Sequence, residues 1–352
     1  MPLQRRENHL VFPKIKKIFL LIGVVITLLA AWIMFQLYGL LFRPNVEKDF
    51  VLYVNKNTTL QMIYETLESN RVLKKMKAFY WAATIKKCPD SIKPGRYHFK
   101  PGMTTNEAVN ILRAGLQEPV DVIFNNVRTK ADLASHVSRY IEADSLSITG
   151  LFTPEISAEF GFTPETFAAM FIPNTYEFYW TTTAEEFAER MKLEYERFWN
   201  EERRKKAEDM GMTPVQVATL ASIVQEETNQ NSEKPRVAGV YINRLLKGMP
   251  LQADPTVKFA VGDITLRRVL NRHLETDSPY NTYIYPGLPP GPITFPEISS
   301  LEAVLNYEKH NYLYFCAKED FSGLHNFART NAEHERNAAR YHAALNHLKI
   351  NN

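Results

Sequence analysis

The chain has 352 residues, 45% of them hydrophobic and 23% charged, which suits about two folded domains and excludes disorder along the whole length. With Gly 14, Pro 20 and Cys 2 it is neither a low-complexity chain nor a disulfide scaffold. Of the net charge of +3, the first seventeen residues carry +4 through Arg5, Arg6, Lys14, Lys16 and Lys17 against Glu7; the remainder is nearly balanced, so no nucleic acid is expected as a partner.

Ile18 to Phe42 contain no charged residue. As a helix, these residues span about 37 Å, enough to cross a hydrocarbon core of roughly 30 Å. Cations precede the segment, so the positive-inside rule makes residues 1–17 a cytoplasmic tail and 18–42 a transmembrane helix, with everything after Arg43 on the extracytoplasmic side of the inner membrane. A cleaved signal peptide would carry a shorter apolar region ending in small residues, whereas this one ends Tyr38-Gly39-Leu40-Leu41-Phe42. No cysteine follows to take a lipid. Cys88 and Cys316 lie in segments assigned below to different domains and are expected to be buried thiols, not a disulfide.

Residues 43–118 read as a small α/β module. Phe50–Val54 is strand-like; Thr58-Thr59 opens a helix with Leu60, Ile63, Tyr64 and Leu67 at helical spacing; a second amphipathic stretch runs from Phe79 to Ile85. Gly95–Phe99 closes the pattern as a strand, and Lys100 to Thr105 form a turn and N-cap for a further helix. This is a binding or spacer module with nothing catalytic in it.

A second domain, 119–350, begins with the strand Val120–Phe124 and a helix over Lys130 to Ile141. The aromatic run Phe171 to Trp180 is either core or a sugar-stacking wall. One charged helix is expected from Thr183 to about Met210, its mixed signs marking a solvated face.

Thr213-Pro214-Val215-Gln216 is a capping box with proline at the first helical position, and it opens directly into Val217 to Thr228. At about 100° per residue, Val217, Leu220, Ala221, Ile223 and Val224 define an apolar face that Glu227 shares and Glu226 does not. A carboxylate in that place is either a fraying helix end or an acid held in a poorly hydrated cleft, where its pKa rises. Spacing alone leaves both open.

A helix with Val237, Val240, Tyr241 and Leu245 inward follows and stops at Gly248. Leu251 to Val257, Leu274 to Tyr283 and Gly287 to Ile293 come next, the last a proline-stiffened wall. Tyr312 to Ala317 alternates like a strand, and Gly323-Leu324-His325-Asn326-Phe327 precedes a C-terminal helix. No SxxK, GxSxG or HExxH pattern occurs, and His325 reads as a hydrogen-bonded core or cleft residue. No metal or other cofactor is expected.

The ordered run ASIVxxE, INRL, LQxDPTV, YNTY, GLPPGPI, YLYF and GxHxF resembles the YceG/MltG family of membrane-anchored endolytic murein transglycosylases across nearly the whole exported chain. The resemblance implies an α+β fold: a single N-terminal transmembrane helix, a small LysM-like module, then a larger mixed catalytic domain. It implies cleavage of the β-1,4 bond between N-acetylmuramic acid and N-acetylglucosamine in peptidoglycan glycan strands, leaving 1,6-anhydromuramoyl ends. Glu227 is then the catalytic acid and base, with Gln252, Asp254, Tyr280, Asn281 and Thr282 as candidate substrate-binding residues. Each of those five is equally readable as a turn-capping polar group. Gln225 stands where many relatives carry glutamate and cannot titrate, while Glu226 would raise the pKa of Glu227 slightly if the side chains approached. Nascent strands near the membrane are the expected substrate, and peptidoglycan synthases are candidate partners. The alternative is a non-catalytic peptidoglycan-binding scaffold, against which stands the intact acid at the end of ASIVxxE.

Overall fold

A computed structural model describes residues 12–88 and 92–347. Residues 1–11 of the expected tail and 348–350 of the expected second domain fall outside them. The chain is mixed α+β and divides into two compact units: residues 1–119 with Tyr179–Thr181, and Val120–Phe178 with Thr182–Asn352.

The first unit begins with α1 (Phe12–Phe42), whose stretch Lys16–Phe42 is long and apolar enough to cross a membrane. Its apolar side chains are exposed from Ile18 to Phe35, as suits a helix with lipid around it. The last turns differ: Leu37, Gly39, Leu40 and Leu41 are shielded, and Leu41 packs on the core of the unit. That core lies between a two-stranded antiparallel sheet, β1 (Phe50–Val54) with β2 (Gly95–Phe99), and three helices, α2 (Leu60–Ser69), α3 (Met76–Ile85) and α4 (Thr105–Ala114). The period of two turns Leu52, Val54, Tyr97 and Phe99 inward against Ile63, Leu67, Phe79 and Leu112. Thr59 caps α2, Thr104 and Glu107 form a capping box on α4, and Gly115 ends α4 at φ 71.

Asn45, three residues beyond α1, fixes the exit of that helix. Its buried amide donates to Thr105 Oγ1 at 3.0 Å and its Oδ1 accepts the Lys75 N–H at 2.8 Å, while its carbonyl accepts the Lys74 N–H at 2.9 Å. No flexible linker separates the apolar helix from the unit.

The second unit opens with β3 (Val120–Phe124), which pairs antiparallel with β4 (Asn174–Phe178). Between them run α5 (Lys130–Val137), α6 (Ser145–Gly150), α7 (Pro154–Glu159) and a 3₁₀ turn at Phe167–Met170. The aromatic run around β4 resolves largely to core: Phe171, Tyr176 and Phe178 are buried, and the Tyr176 hydroxyl donates to the Ile172 carbonyl at 2.7 Å. The charged segment expected as one helix is two, α8 (Ala184–Phe198) and α9 (Glu201–Asp209). Buried Trp199 leaves the helical conformation at ψ 59, and the Asn200 side chain accepts the Arg203 N–H to start a new helix.

At the centre stands α10 (Pro214–Glu227), surrounded by α11 (Lys234–Leu246), α12 (Asp254–Val261), α14 (Ile298–Leu305) and α9. The short α13 (Asn271–Leu274) interrupts the long connection between α12 and α14. Every residue of α10 from Val217 to Val224 is buried, so it is a core helix on all sides and not the single-striped helix its spacing suggests. Asp254–Val261, where the pattern gives no helix, is helical because Pro255 occupies its first turn. The unit closes with the antiparallel pair β5 (Tyr314–Ala317) and β6 (His325–Ala328), then α15 (Asn331–His347). Cys88 is buried in the first unit and Cys316 half-buried on β5; neither is in a disulfide.

Candidate active site

The last turn of α10 carries Gln225, Glu226 and Glu227 into three different environments. Gln225 is a structural amide: its Nε2 donates to the Phe295 carbonyl at 3.2 Å, and its Oε1 accepts from the Glu297 N–H at 2.7 Å and the Ser300 hydroxyl at 3.1 Å. Glu226 forms an ion pair with Arg128. Its carboxylate is directed to Arg128, and it is not among the groups that chiefly set the Glu227 pKa. Glu227 lines a cavity of about 410 Å³.

The proline-rich wall is held to α10 from the other side. Ser222 donates to the Thr219 carbonyl and accepts the Ile293 N–H at 3.0 Å. Gly291 lies so close to the Glu165 carbonyl that any Cβ there would collide with it, which explains the glycine between two prolines.

Two tyrosine–carboxylate pairs face the cavity. Tyr241, on α11 and buried, donates to Glu227 Oε1 at 2.5 Å. Tyr283 donates to Asp254 Oδ1 at 2.7 Å. Burial pushes the Glu227 pKa up to about 7; the Asp254 charge adds to that, and the Tyr241 hydrogen bond with the more distant Lys258 and Arg244 only partly oppose it. The Tyr241 hydroxyl is itself held well above the ordinary range by burial and by the Glu227 charge. A carboxyl of this kind can hold a proton at neutral pH and also release it.

Arg244 supports the cavity floor. It is buried, and its Nε donates to the Leu313 carbonyl at 2.6 Å while Nη1 donates to the Leu251 carbonyl at 2.8 Å. The guanidinium lies over the Tyr314 ring, 5.1 Å from its centroid. Together these contacts hold the chain beside Gln252, a non-glycine residue at φ 50 whose side chain enters the cavity. On the opposite wall, His325 Nδ1 is 2.9 Å from Glu233 Oε2, and the His325 N–H donates to Glu233 Oε1 at 3.0 Å. This buried carboxylate holds the residue at its backbone N–H and at one ring nitrogen, Nδ1.

Of the residues singled out by the sequence, Glu227, Gln252 and Asp254 meet in the cavity. Tyr280, Asn281 and Thr282 do not line it. Tyr280 packs on Phe259 with ring centroids 4.6 Å apart. Asn281 is buried and donates to the carbonyls of Leu274 and Thr276 at 2.8 and 2.9 Å. Thr282 bonds Thr256 at 2.8 Å and accepts the Ala253 N–H at 3.0 Å. All three therefore brace the loop that presents Gln252, Asp254 and Tyr283.

Tyr241, Tyr283 and Arg244 were not singled out by sequence reasoning. Tyr241 was legible as a core residue, and the available signal was that a buried tyrosine hydroxyl needs an acceptor one helix away. Among the described residues no cluster of three or more His, Cys, Asp and Glu is arranged to hold a metal.

Comparison with known proteins follows the same path along the chain. The profile of the YceG-like family matches residues 52–340. A Bacillus subtilis protein named endolytic murein transglycosylase is 30% identical over 334 residues, covering 88% of this chain and 91% of its own length. A Streptococcus pneumoniae protein of the same name is 25% identical over 335 residues, 84% of this chain, and these span 59% of that longer relative. The crystal structure of a putative YceG-like protein from Listeria monocytogenes superimposes with a TM-score of 0.55 at 27% identity, covering 82% of this chain and 98% of the other. The chain belongs to the YceG-like family.

Proposed function

We propose that this YceG-like protein is a membrane-anchored endolytic murein transglycosylase in which Glu227 is the catalytic acid and base. One observation carries the reading: a single carboxyl, raised to a pKa of about 7 by burial, faces a cavity whose other carboxylate is engaged by Tyr283. The names of the Bacillus and Streptococcus relatives support the same activity.

In the proposed reaction Glu227 gives its proton to the oxygen leaving the muramic acid C1 as the C1–O bond breaks. Positive charge develops at C1, where the substrate's acetamido group and the carboxylates of the cavity stabilise it. The C6 hydroxyl then attacks C1 and returns its proton to Glu227. The intramolecular nucleophile replaces the second catalytic carboxylate of ordinary glycosidases, and its position is already set. Because Tyr241 donates to Oε1, the mobile proton belongs on Oε2.

The reading extends to the rest of the chain. Residues 1–17 are a cytoplasmic tail, 18–42 the transmembrane helix, 43–118 a LysM-like module and 119–350 the catalytic domain, held outside the cytoplasmic membrane. Gln252 and Asp254 bind glycan there; nascent strands at the membrane are the substrate, and peptidoglycan synthases are partners. The test is to digest purified sacculi with the full-length protein in detergent and analyse the products by mass spectrometry. Anhydromuramoyl ends appearing without metal or nucleotide are expected. Ordinary reducing ends, or activity lost to a chelator, would overturn the reading.

A further inference from the structure

We infer that the Lys74–Trp81 edge of the first unit is a phospholipid-binding surface, lying in the headgroup layer of the leaflet at the C-terminal end of α1. The inference rests on α1 spanning a bilayer. Given that, the depth of the edge follows from two contacts.

The first is a groove of about 660 Å³ shared by Leu37 and Leu40 of α1 with Tyr64, Met76 and Trp81. Leu37 and Leu40 precede Phe42 by five and two residues, so they sit about 7 and 3 Å below the end of the span. Whatever shares a groove with them is at the same level. The second contact is the Asn45 clamp, which hydrogen-bonds the backbones of Lys74 and Lys75 to a residue three positions past Phe42, at most about 10 Å of chain. The headgroup layer is roughly 5 to 7 Å deep on each side, so both contacts hold the edge at its level.

The side chains there fit that layer. Helix α3 buries Ala78, Phe79, Ala82 and Ala83 in the unit, yet its outer face carries Tyr80, Trp81 and Ile85, which are exposed. A helix apolar on both faces has a second apolar environment to meet. Tyr64 stands edge-on to Tyr80, with centroids 5.6 Å apart. Aromatic rings of this kind concentrate at the membrane–water boundary, and lysines beside them reach lipid phosphates. Lys74, Lys75 and Lys77 line the groove; Glu68, which also lines it, is the acidic exception and accepts from Tyr64 at 3.3 Å.

The test uses the full chain in nanodiscs of phosphatidylcholine and phosphatidylglycerol, with nitroxide on either the headgroup or the acyl terminus. Subtracting the emission of Trp81→Phe isolates Trp81, and subtracting that of Trp32→Phe isolates the mid-helix Trp32. Trp81 is expected to be quenched about twofold or more by the headgroup nitroxide and less by the acyl-terminal one, with the reverse order for Trp32. Unquenched Trp81 beside quenched Trp32 overturns the inference and leaves the span intact; unquenched Trp32 overturns the span itself. Replacing Lys74, Lys75 and Lys77 by Glu is expected to weaken Trp81 quenching when phosphatidylglycerol is present. Unchanged quenching would overturn phosphate recognition, and with it the site.

Discussion

The two units bury polar groups in different ways. Among the described residues of the first unit, the buried polar side chains are Asn45 and Thr105, which bond to each other and to the Lys75 backbone. The second unit buries Glu233, Lys234 and Arg244 as well as hydroxyls and amides, and it holds Glu227 at the edge of that set. Burying a charged group is costly unless partners surround it; the partners of Glu233 and Arg244, which are His325 and the Leu251 and Leu313 carbonyls, face or brace the cavity, while Lys234 is met by Ser299 on α14. The contrast separates a unit that carries the helix of membrane-spanning length from a unit whose interior is organised around an acid.

Substitutions can break that contrast. The largest effect belongs to Glu227→Gln, which keeps the shape and removes the proton; a loss of two to four orders of magnitude in turnover is expected, about 3 to 5 kcal/mol. Glu226→Gln should retain most activity, because its carboxylate serves Arg128. Rates on sacculi, with circular dichroism confirming the fold, decide this. The opposite ranking would refute the assignment.

Next comes pH. A carboxyl whose folded pKa is raised from 4.5 to about 7 binds its proton more tightly in the folded state, so its contribution is full below 4.5 and lost as pH rises through 7. Wild type should therefore fall behind Glu227→Gln in unfolding free energy by about 3 kcal/mol between pH 4.5 and pH 8. In parallel, kcat/KM should decline above about pH 7 as Glu227 loses its proton. Denaturant melts of both proteins across the range supply the check; a constant difference would mean that the Glu227 pKa is not raised in the folded state.

Tyr241→Phe tests the donor. The Tyr241 hydrogen bond holds the Glu227 pKa down, so its removal should move the alkaline limb of the rate profile to higher pH, with roughly tenfold slower turnover near pH 6. A purely structural tyrosine would lower the rate without moving the limb. The smallest effect is expected in the first unit: Asn45→Ala should cost about 1 to 2 kcal/mol of stability at every pH, with turnover on sacculi unchanged. A pH-dependent loss there would erase the distinction between the units.

Much of this was legible in the residues, unevenly and for physical reasons. The strands Phe50–Val54, Gly95–Phe99 and Val120–Phe124 could be read to the residue, because alternation and flanking turns bound them on both sides. The break at Trp199–Asn200 was not, since a run of mixed charges continues across it and the signal is one buried indole. Helices α6 and α7 are six residues each, too short to show a period. In the cavity, the helical spacing of Glu227 from an apolar run left a fraying end and a buried acid both open, and the ASIVxxE pattern singled it out. The YNTY segment misled in part, because a polar residue in a loop can face the cavity, as Tyr283 does, or hold the loop, as Asn281 and Thr282 do. Only the backbone path distinguishes them.

Helix α10 ends at Glu227, and that placement ties acidity to the core. Burial is the main cause of the raised pKa, but the carboxyl also stands at the negative pole of a fourteen-residue helix dipole, which disfavours its ionised form. The same turns of helix that fill the centre of the second unit thus act as a voltage source for the proton on Glu227. A substitution at Val224 or Ile223 that frays the last turn would do more than loosen packing: it would discharge that source, make Glu227 a stronger acid and slide the pH optimum downward. The acidity of Glu227 is then set in part by aliphatic residues that do not line the cavity.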